Sequence, residues 1–185
     1  MKIIAGKYYR RILEVPKNKT TRPTTSRLRE ALFNILQHEI EGATFLDIFA
    51  GSGAIGIEAL SRGAVSATFI ESDRFALQTL KNNLERLKIS REAEVLFGDY
   101  HKNLKGLGFR KARFDLIFAD APYQIDVTEQ ILLQVASNQL LKPYGKLFIE
   151  NDSSYIETLN LQDVTHINSR KAGKSFLHQF QISPP

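Results

Sequence analysis

Ala43-Thr44-Phe45-Leu46-Asp47-Ile48-Phe49-Ala50-Gly51-Ser52-Gly53-Ala54-Ile55-Gly56 is the stretch that decides the fold of this chain. Residues Ala43 to Phe49 read as an apolar strand, and Ile57, Leu60 and Ser61 continue the pattern as a helix, so strand, glycine turn and helix follow one another without a break. Glycines at such a turn let a ligand approach the backbone, and the helix start aims its unpaired amides at that ligand. Outward from it, strand and helix alternate: Ala67 to Ile70 strand, Arg74 to Leu87 helix, Ala93 to Phe97 strand, Phe114 onward strand, Val127 to Leu140 helix, Lys146 to Glu150 strand. That alternation predicts an α/β protein with a parallel, doubly wound sheet. Lys142-Pro143-Tyr144-Gly145 reads as a turn ahead of the last of these strands.

Two cofactors compete for the turn. Its spelling satisfies the G-x-G-x-x-G dinucleotide fingerprint, and Glu71 falls 20 residues after Gly51, where a ribose-binding acid is expected. An NAD(P)-dependent oxidoreductase is one reading. Asp47, however, stands four residues before Gly51, where a carboxylate would repel a pyrophosphate but attract the ammonium of a methionine group. Asp99, just after the strand Ala93 to Phe97, can accept from an adenine amine. These features favour S-adenosylmethionine, although each acid taken singly also suits a strand end or a helix cap.

A second motif fits that choice. Phe114-Asp115-Leu116-Ile117-Phe118-Ala119 is a strand that ends on Asp120-Ala121-Pro122-Tyr123. A carboxylate and a neighbouring carbonyl can each accept a hydrogen bond from an exocyclic NH2, and a tyrosine can stack on the ring that carries it. Such an amine is a poor nucleophile, so its lone pair must be oriented and its developing charge stabilised. Pro122 restricts Ala121 to extended conformations, which helps aim its carbonyl. The same four residues also suit an ordinary turn.

The chain resembles the RsmD family of bacterial 16S ribosomal RNA guanine-N2 methyltransferases. The resemblance is carried by Met1 to Tyr8, Thr21 to Leu36, Phe45 to Ala54, Ile57 to Ala64 and Asp120 to Tyr123. It implies a class I, Rossmann-like, seven-stranded S-adenosylmethionine-dependent methyltransferase fold over residues 43–185, with a short N-terminal hairpin and helix extension over residues 1–42. By matching motif, Asp47, Gly51 and Gly53 would hold the methionine end of the cofactor, Glu71 the ribose, Asp99 the adenine edge, and Asp120 to Tyr123 the target base. The implied partner is 16S rRNA or a small-subunit assembly particle. The family's second tetrad residue is usually proline, here Ala121; its Arg-Gly-Arg near the N-terminus is here Tyr9-Arg10-Arg11; and its acid after the paired threonines is here Ser26. An adenine-N6 methyltransferase on DNA or RNA, and an RNA-binding protein with a relic pocket, are the other readings.

Composition sets independent limits. A chain of 185 residues with 43% hydrophobic residues builds one domain with a substantial core. Without cysteine there is no disulfide, cysteine zinc site or thiolate nucleophile, which excludes pyrimidine carbon-5 methylation of the usual covalent kind. Transfer to nitrogen or oxygen needs no metal, and His38, His101, His166 and His178 show no ligand spacing and read as surface or turn residues. With no long apolar run and no leader pattern, a cytoplasmic monomer that avoids membranes is expected.

Charge is uneven. Residues 1 to 29 carry nine cations against Glu14 alone, so with a formal net charge of +5 the remainder is about −3. Lys7, Arg10, Arg11, Arg22, Arg27 and Arg29, interleaved with Tyr8 and Tyr9 in a hairpin-like alternation, form the expected RNA surface. A helix whose apolar face is Leu28, Ala31, Leu32, Ile35 and Leu36 follows. Lys171 and Lys174, in a basic turn between Val164 to Asn168 and Ser175 to Ile182, form a second RNA candidate. Lys17 to Pro23 is the one segment expected to be mobile.

Overall fold

The structure is a computed structural model that describes residues 1–16, 25–120, 127–153 and 164–182. The segment expected to be mobile, Lys17 to Pro23, lies outside the described residues.

The N-terminal residues form a small hairpin, with Lys2 opposite Ile12 and the Leu13 amide donating to the Met1 carbonyl at 2.7 Å. Helix α1 (Ser26–Ile35) follows, and its N-cap is Thr25, whose hydroxyl accepts from the Leu28 amide at 3.2 Å. Thr25 therefore does the capping, and Ser26 at the position of the family's acid is not needed for it. Leu28, Leu32, Phe33 and Leu36 are fully buried, each contributing roughly 1.5–3 kcal/mol of transfer free energy. Ala31 and Ile35 pack at the edge of the same core.

The remaining strands are β1 (Thr44–Ile48), β2 (Ser66–Glu71), β3 (Ala93–Phe97), β4 (Phe114–Asp120), β5 (Leu141–Asn151), β6 (Val164–Ala172) and β7 (Ser175–Ile182). The helices between them are α2 (Ala54–Ser61), α3 (Arg74–Leu87), α4 (Tyr100–Phe109) and α5 (Thr128–Ser137). One seven-stranded sheet has the order β3-β2-β1-β4-β5-β7-β6. Strands β1 to β5 are parallel, and β7 runs antiparallel between β5 and β6. The two sheet faces carry separate cores. One joins the hairpin, α1, α2 and α3. The other holds α4 and α5 through Leu104, Leu107, Ile131, Leu132 and Val135.

The fold departs from the expected pattern in three places. Lys142 to Gly145 is not a turn before β5 but an irregularity inside it: the register shifts between Phe114 and Leu116, and Tyr144 takes φ +65°. The cause is the pairing of Leu141 with Phe114 ahead of the break, which extends the strand backward. Helix α4 was not read from the sequence, because Gly106 and Gly108 interrupt its apolar repeat. Strand β6 runs to Ala172 rather than Asn168, so Gly173 and Lys174 alone join it to β7.

From β1 the chain winds outward through β2 and β3, then returns to pair β4 on the other side of β1. A crevice opens at the carboxyl ends of strands where such winding reverses. The glycine turn after β1 and Asp120 at the end of β4 both face it.

Candidate active site

Helix α2 begins with Gly53 at φ +81° as its N-cap, and no side chain caps it. A Cβ on Gly53 would lie 2.3 Å from Leu80 Cδ1, so this glycine is demanded by packing as well as by its dihedral. Gly51, at φ +57°, differs: a Cβ there would meet nothing within 4 Å. The open side of the turn is thus at Gly51.

Two acids, Asp47 and Glu71, bond to that turn and the helix it starts, and a third, Asp99, stands at the same edge of the sheet beyond β3. Asp47 is 2% exposed, and its Oδ2 accepts from the Gly56 amide at 2.9 Å. Burial pushes its carboxyl up to about 7, with the nearby Glu71 charge acting in the same direction and the Gly56 bond opposing. Glu71, at the end of β2, bridges two backbones: one oxygen accepts from Gly51 at 2.6 Å and the other from Asp73 at 2.7 Å. Asp73 in turn caps α3. Asp99 is exposed and caps α4 by accepting from the Lys102 amide at 3.1 Å. The acids at the ends of β1 and β2 and beyond β3 are therefore brought to one edge, each with a structural bond beside any ligand role.

Asp120 closes β4. The β1–β4 register ends at Ile48 opposite Ala119, which sets Asp120 beside Phe49 at the switch point. Across the other neighbour Asp120 is paired with Glu150, whose carboxylate accepts from the Ser175 hydroxyl at 2.6 Å. Ala121, Pro122 and Tyr123, expected to complete the target-base grip, lie outside the described residues.

Sequence reasoning missed an aromatic wall here. Phe49 sits at φ +65°, a left-handed conformation that costs a non-glycine residue on the order of 1 kcal/mol or more. Its ring lies 4.9 Å from that of Tyr100, whose hydroxyl donates to Gln130 Oε1 at 2.9 Å. The segments after β1 and β3 are thus tied to each other and to helix α5 by Phe49, Tyr100 and Gln130. The available signal was an aromatic residue directly before Ala50-Gly51 and another directly after Asp99.

The basic set divides. Lys7, Arg10, Arg11, Arg27, Lys171 and Lys174 are exposed. Lys7 stacks over Tyr8 and Arg10 over Tyr9 at 5.3 and 5.0 Å. Arg22 lies outside the described residues. Arg29 corrects the expectation of a surface cation: it is 2% exposed, donates from Nη1 to the Lys2 carbonyl at 3.0 Å and lies 3.7 Å from Glu58. It follows the helical spacing of Leu28 and Leu32 closely enough to share their buried face. His178 is likewise no surface or turn residue: it is fully buried, with its ring nitrogens at 2.7 Å from Ser169 and 3.0 Å from the Ser153 carbonyl. Among the described residues no group of histidines and acids is arranged to hold a metal ion. No described helix is long and apolar enough to cross a membrane.

The open backbone at Gly51, the uncapped start of α2 and a buried acid beside them fit the methionine end of S-adenosylmethionine, and the fold is that of the class I methyltransferases that use it. At 13% identity and a TM-score of 0.69, the crystal structure of SMU.776 complexed with SAH shares this fold over 84% of the chain and 48% of its own length. The solved structure of yhhF from Escherichia coli is far closer, with a TM-score of 0.85 and 34% identity over 99% of this chain and 98% of that one. In sequence, the Ribosomal RNA small subunit methyltransferase D of Haemophilus influenzae is 39% identical over 82% of this chain and 79% of its own. Residues 1–181 match the family described as Conserved hypothetical protein 95. The chain belongs to that family, the RsmD family of methyltransferases.

Proposed function

We propose that this chain transfers a methyl group from S-adenosylmethionine to the exocyclic N2 amine of a guanine in small-subunit ribosomal RNA. The observation that carries the reading is the placement of Asp120 at the carboxyl end of β4, beside the glycine turn at the switch point. Methyl donor and acceptor would meet there in line. The bound cofactor supplies an electrophilic methyl on a sulfonium. Asp47, Gly51 and Gly53 hold its methionine end, Glu71 its ribose and Asp99 its adenine edge. Asp120 accepts a hydrogen bond from the amine and balances the charge that grows on nitrogen. The Ala121 carbonyl takes the second amine hydrogen, Pro122 restrains it, and Tyr123 stacks on the base after it is turned out of its surroundings. Exposed Lys7, Arg10, Arg11 and Arg27, with Lys171 and Lys174, supply phosphate contacts.

Guanine rather than adenine follows from the family resemblance, since the tetrad grips any exocyclic amine. The substrate is naked 16S rRNA or a small-subunit assembly particle, met in the cytoplasm by a monomer. The test is incubation with methyl-labelled S-adenosylmethionine and small-subunit RNA or particles from cells lacking the modification, followed by nucleoside analysis by mass. N2-methylguanosine is the expected product; N6-methyladenosine would transfer the reading to adenine, and an unlabelled digest would remove this substrate. Asp120→Ala is expected to lower turnover by at least 100-fold, on the order expected for loss of a transition-state hydrogen bond, while cofactor affinity is unchanged.

A further inference from the structure

An open cavity of about 680 Å³ lies between the N-terminal hairpin and the start of α1, and no residue assigned above to cofactor or target base lines it. Its walls include Lys2, Tyr9, Arg10, Thr25, Ser26 and Arg29. Helix α1 points its N-terminus into this space, with no acidic side chain in its first turn. Thr25 serves the amides of Leu28 and Arg29. Helix starts of this kind attract anions.

The second observation is independent of the helix. Arg29, 2% exposed, keeps a buried Nε–H with no hydrogen-bond partner among the described residues. Native proteins leave few such donors, because each costs desolvation without a bond in return. The charge behind it is also unbalanced. Arg29 and Arg62 share one carboxylate, Glu58, whose oxygens already accept from Ile4 at 2.8 Å, Ala5 at 2.9 Å and Arg62 at 2.8 Å. One carboxylate shared between buried Arg29 and half-buried Arg62 leaves an excess positive charge behind the cavity wall that Arg29 forms. Glu30, exposed on the next residue of α1, offsets part of it. Lys2 and Arg10 stand exposed at the rim.

We propose that this cavity seats one phosphodiester of the RNA substrate, with the phosphate at the first turn of α1 above Arg29 and the attached nucleoside against Tyr9, whose side is 55% exposed. The volume suits a nucleotide rather than a bare ion. This inference rests on the RNA reading above, and it makes the cavity a second anchor distinct from the base-binding crevice. Arg29 acts in it by charge from within, not as a surface finger.

Ser26→Glu is the discriminating change, because it opposes two quantities. An acid in the first turn of α1 favours the helix, so the melting temperature holds or rises. The same acid repels a phosphate. Binding of in-vitro-transcribed small-subunit RNA is measured across salt concentrations for wild type, Ser26→Glu and Gln78→Glu, the last placing an equal charge change on the exposed face of α3. The expected result is an affinity loss of about tenfold and a salt slope reduced by about one for Ser26→Glu alone. Wild-type affinity in Ser26→Glu, or an equal loss in Gln78→Glu, overturns the site. So does a wild-type cavity that responds to inorganic phosphate, read as melting protection lost in Ser26→Glu, while RNA affinity is unaltered. Should wild type bind the RNA tightly yet leave it unmethylated, the methylation reading fails while the comparison of variants still decides the cavity. A wild type without RNA affinity overturns both.

Discussion

Asp47 carries opposite demands in one carboxyl group. Burial raises it to about 7, against an ordinary value of 3.8. Below pH 3.8 folded and unfolded chains both hold the proton, and Asp47 contributes no pH dependence. Between 3.8 and about 7 the unfolded chain releases it and the folded chain keeps it, so folding stability falls as pH rises. Above 7 the full cost is present, on the order of a few kcal/mol. Asp47→Asn, which can still accept from Gly56, is therefore expected to melt higher than wild type at pH 8 and level with it near pH 4. A cofactor ammonium beside Asp47 would favour the ionised form, so cofactor binding should release a proton and tighten from pH 5 to pH 7. Calorimetry in buffers of different ionisation enthalpy reads that proton; its absence would take Asp47 away from the ammonium. In Asp47→Asn the affinity should drop and lose its pH dependence.

At the scale of elements, the N-terminal hairpin has its own pairing but is joined to helix α2 by a dense set of bonds. Glu58 takes two hairpin amides, while Ser61 accepts from Tyr8 at 3.0 Å and donates to Ala5 at 2.6 Å. Gly6 is obligatory at this contact, since a Cβ on it would lie 1.8 Å from the Ser61 carbonyl oxygen. Glu58→Gln removes the only carboxylate facing Arg29 and Arg62 in these ion pairs, and a broken buried pair costs about 3–5 kcal/mol. Urea unfolding should show that loss, and hydrogen exchange should place the earliest opening at Ile3, Ile4 and Ala5. An unfolding midpoint equal to wild type would mean that the charge of Glu58 does not hold the hairpin.

Across the whole molecule, the parts legible in sequence are those governed by local rules. Helix α3 matches its apolar repeat at both ends because Asp73 caps it and Lys88 stops it in a left-handed turn. The glycine turn and Asp120 fall at the switch point because strand ends are set by where apolar alternation stops. What was not legible depends on partners far along the chain. Helical spacing puts Arg29 on the face of Leu32 and Phe33, but that a cation can be buried there depends on Glu58 on another helix. Phe49 and Tyr100 likewise meet only after the sheet has formed. Asn83 belongs to the same group: 1% exposed on α3, it donates to the Ser52 carbonyl in the glycine turn and exchanges two bonds with Glu14 at the hairpin exit. Asn83→Ala is expected to cost about 1–3 kcal/mol and to weaken cofactor affinity without touching the cofactor. Unchanged affinity would separate the turn from the hairpin.

The spacing of those contacts also sets an order in time. The hairpin leaves the ribosome ahead of every residue that fastens it, because Glu58, Ser61 and Asn83 stand 53 to 69 positions downstream of the amides they hold. At ordinary synthesis rates that is a wait of roughly 3 to 14 seconds. For that interval the most cationic stretch of the nascent chain is exposed without the contacts that later fasten it.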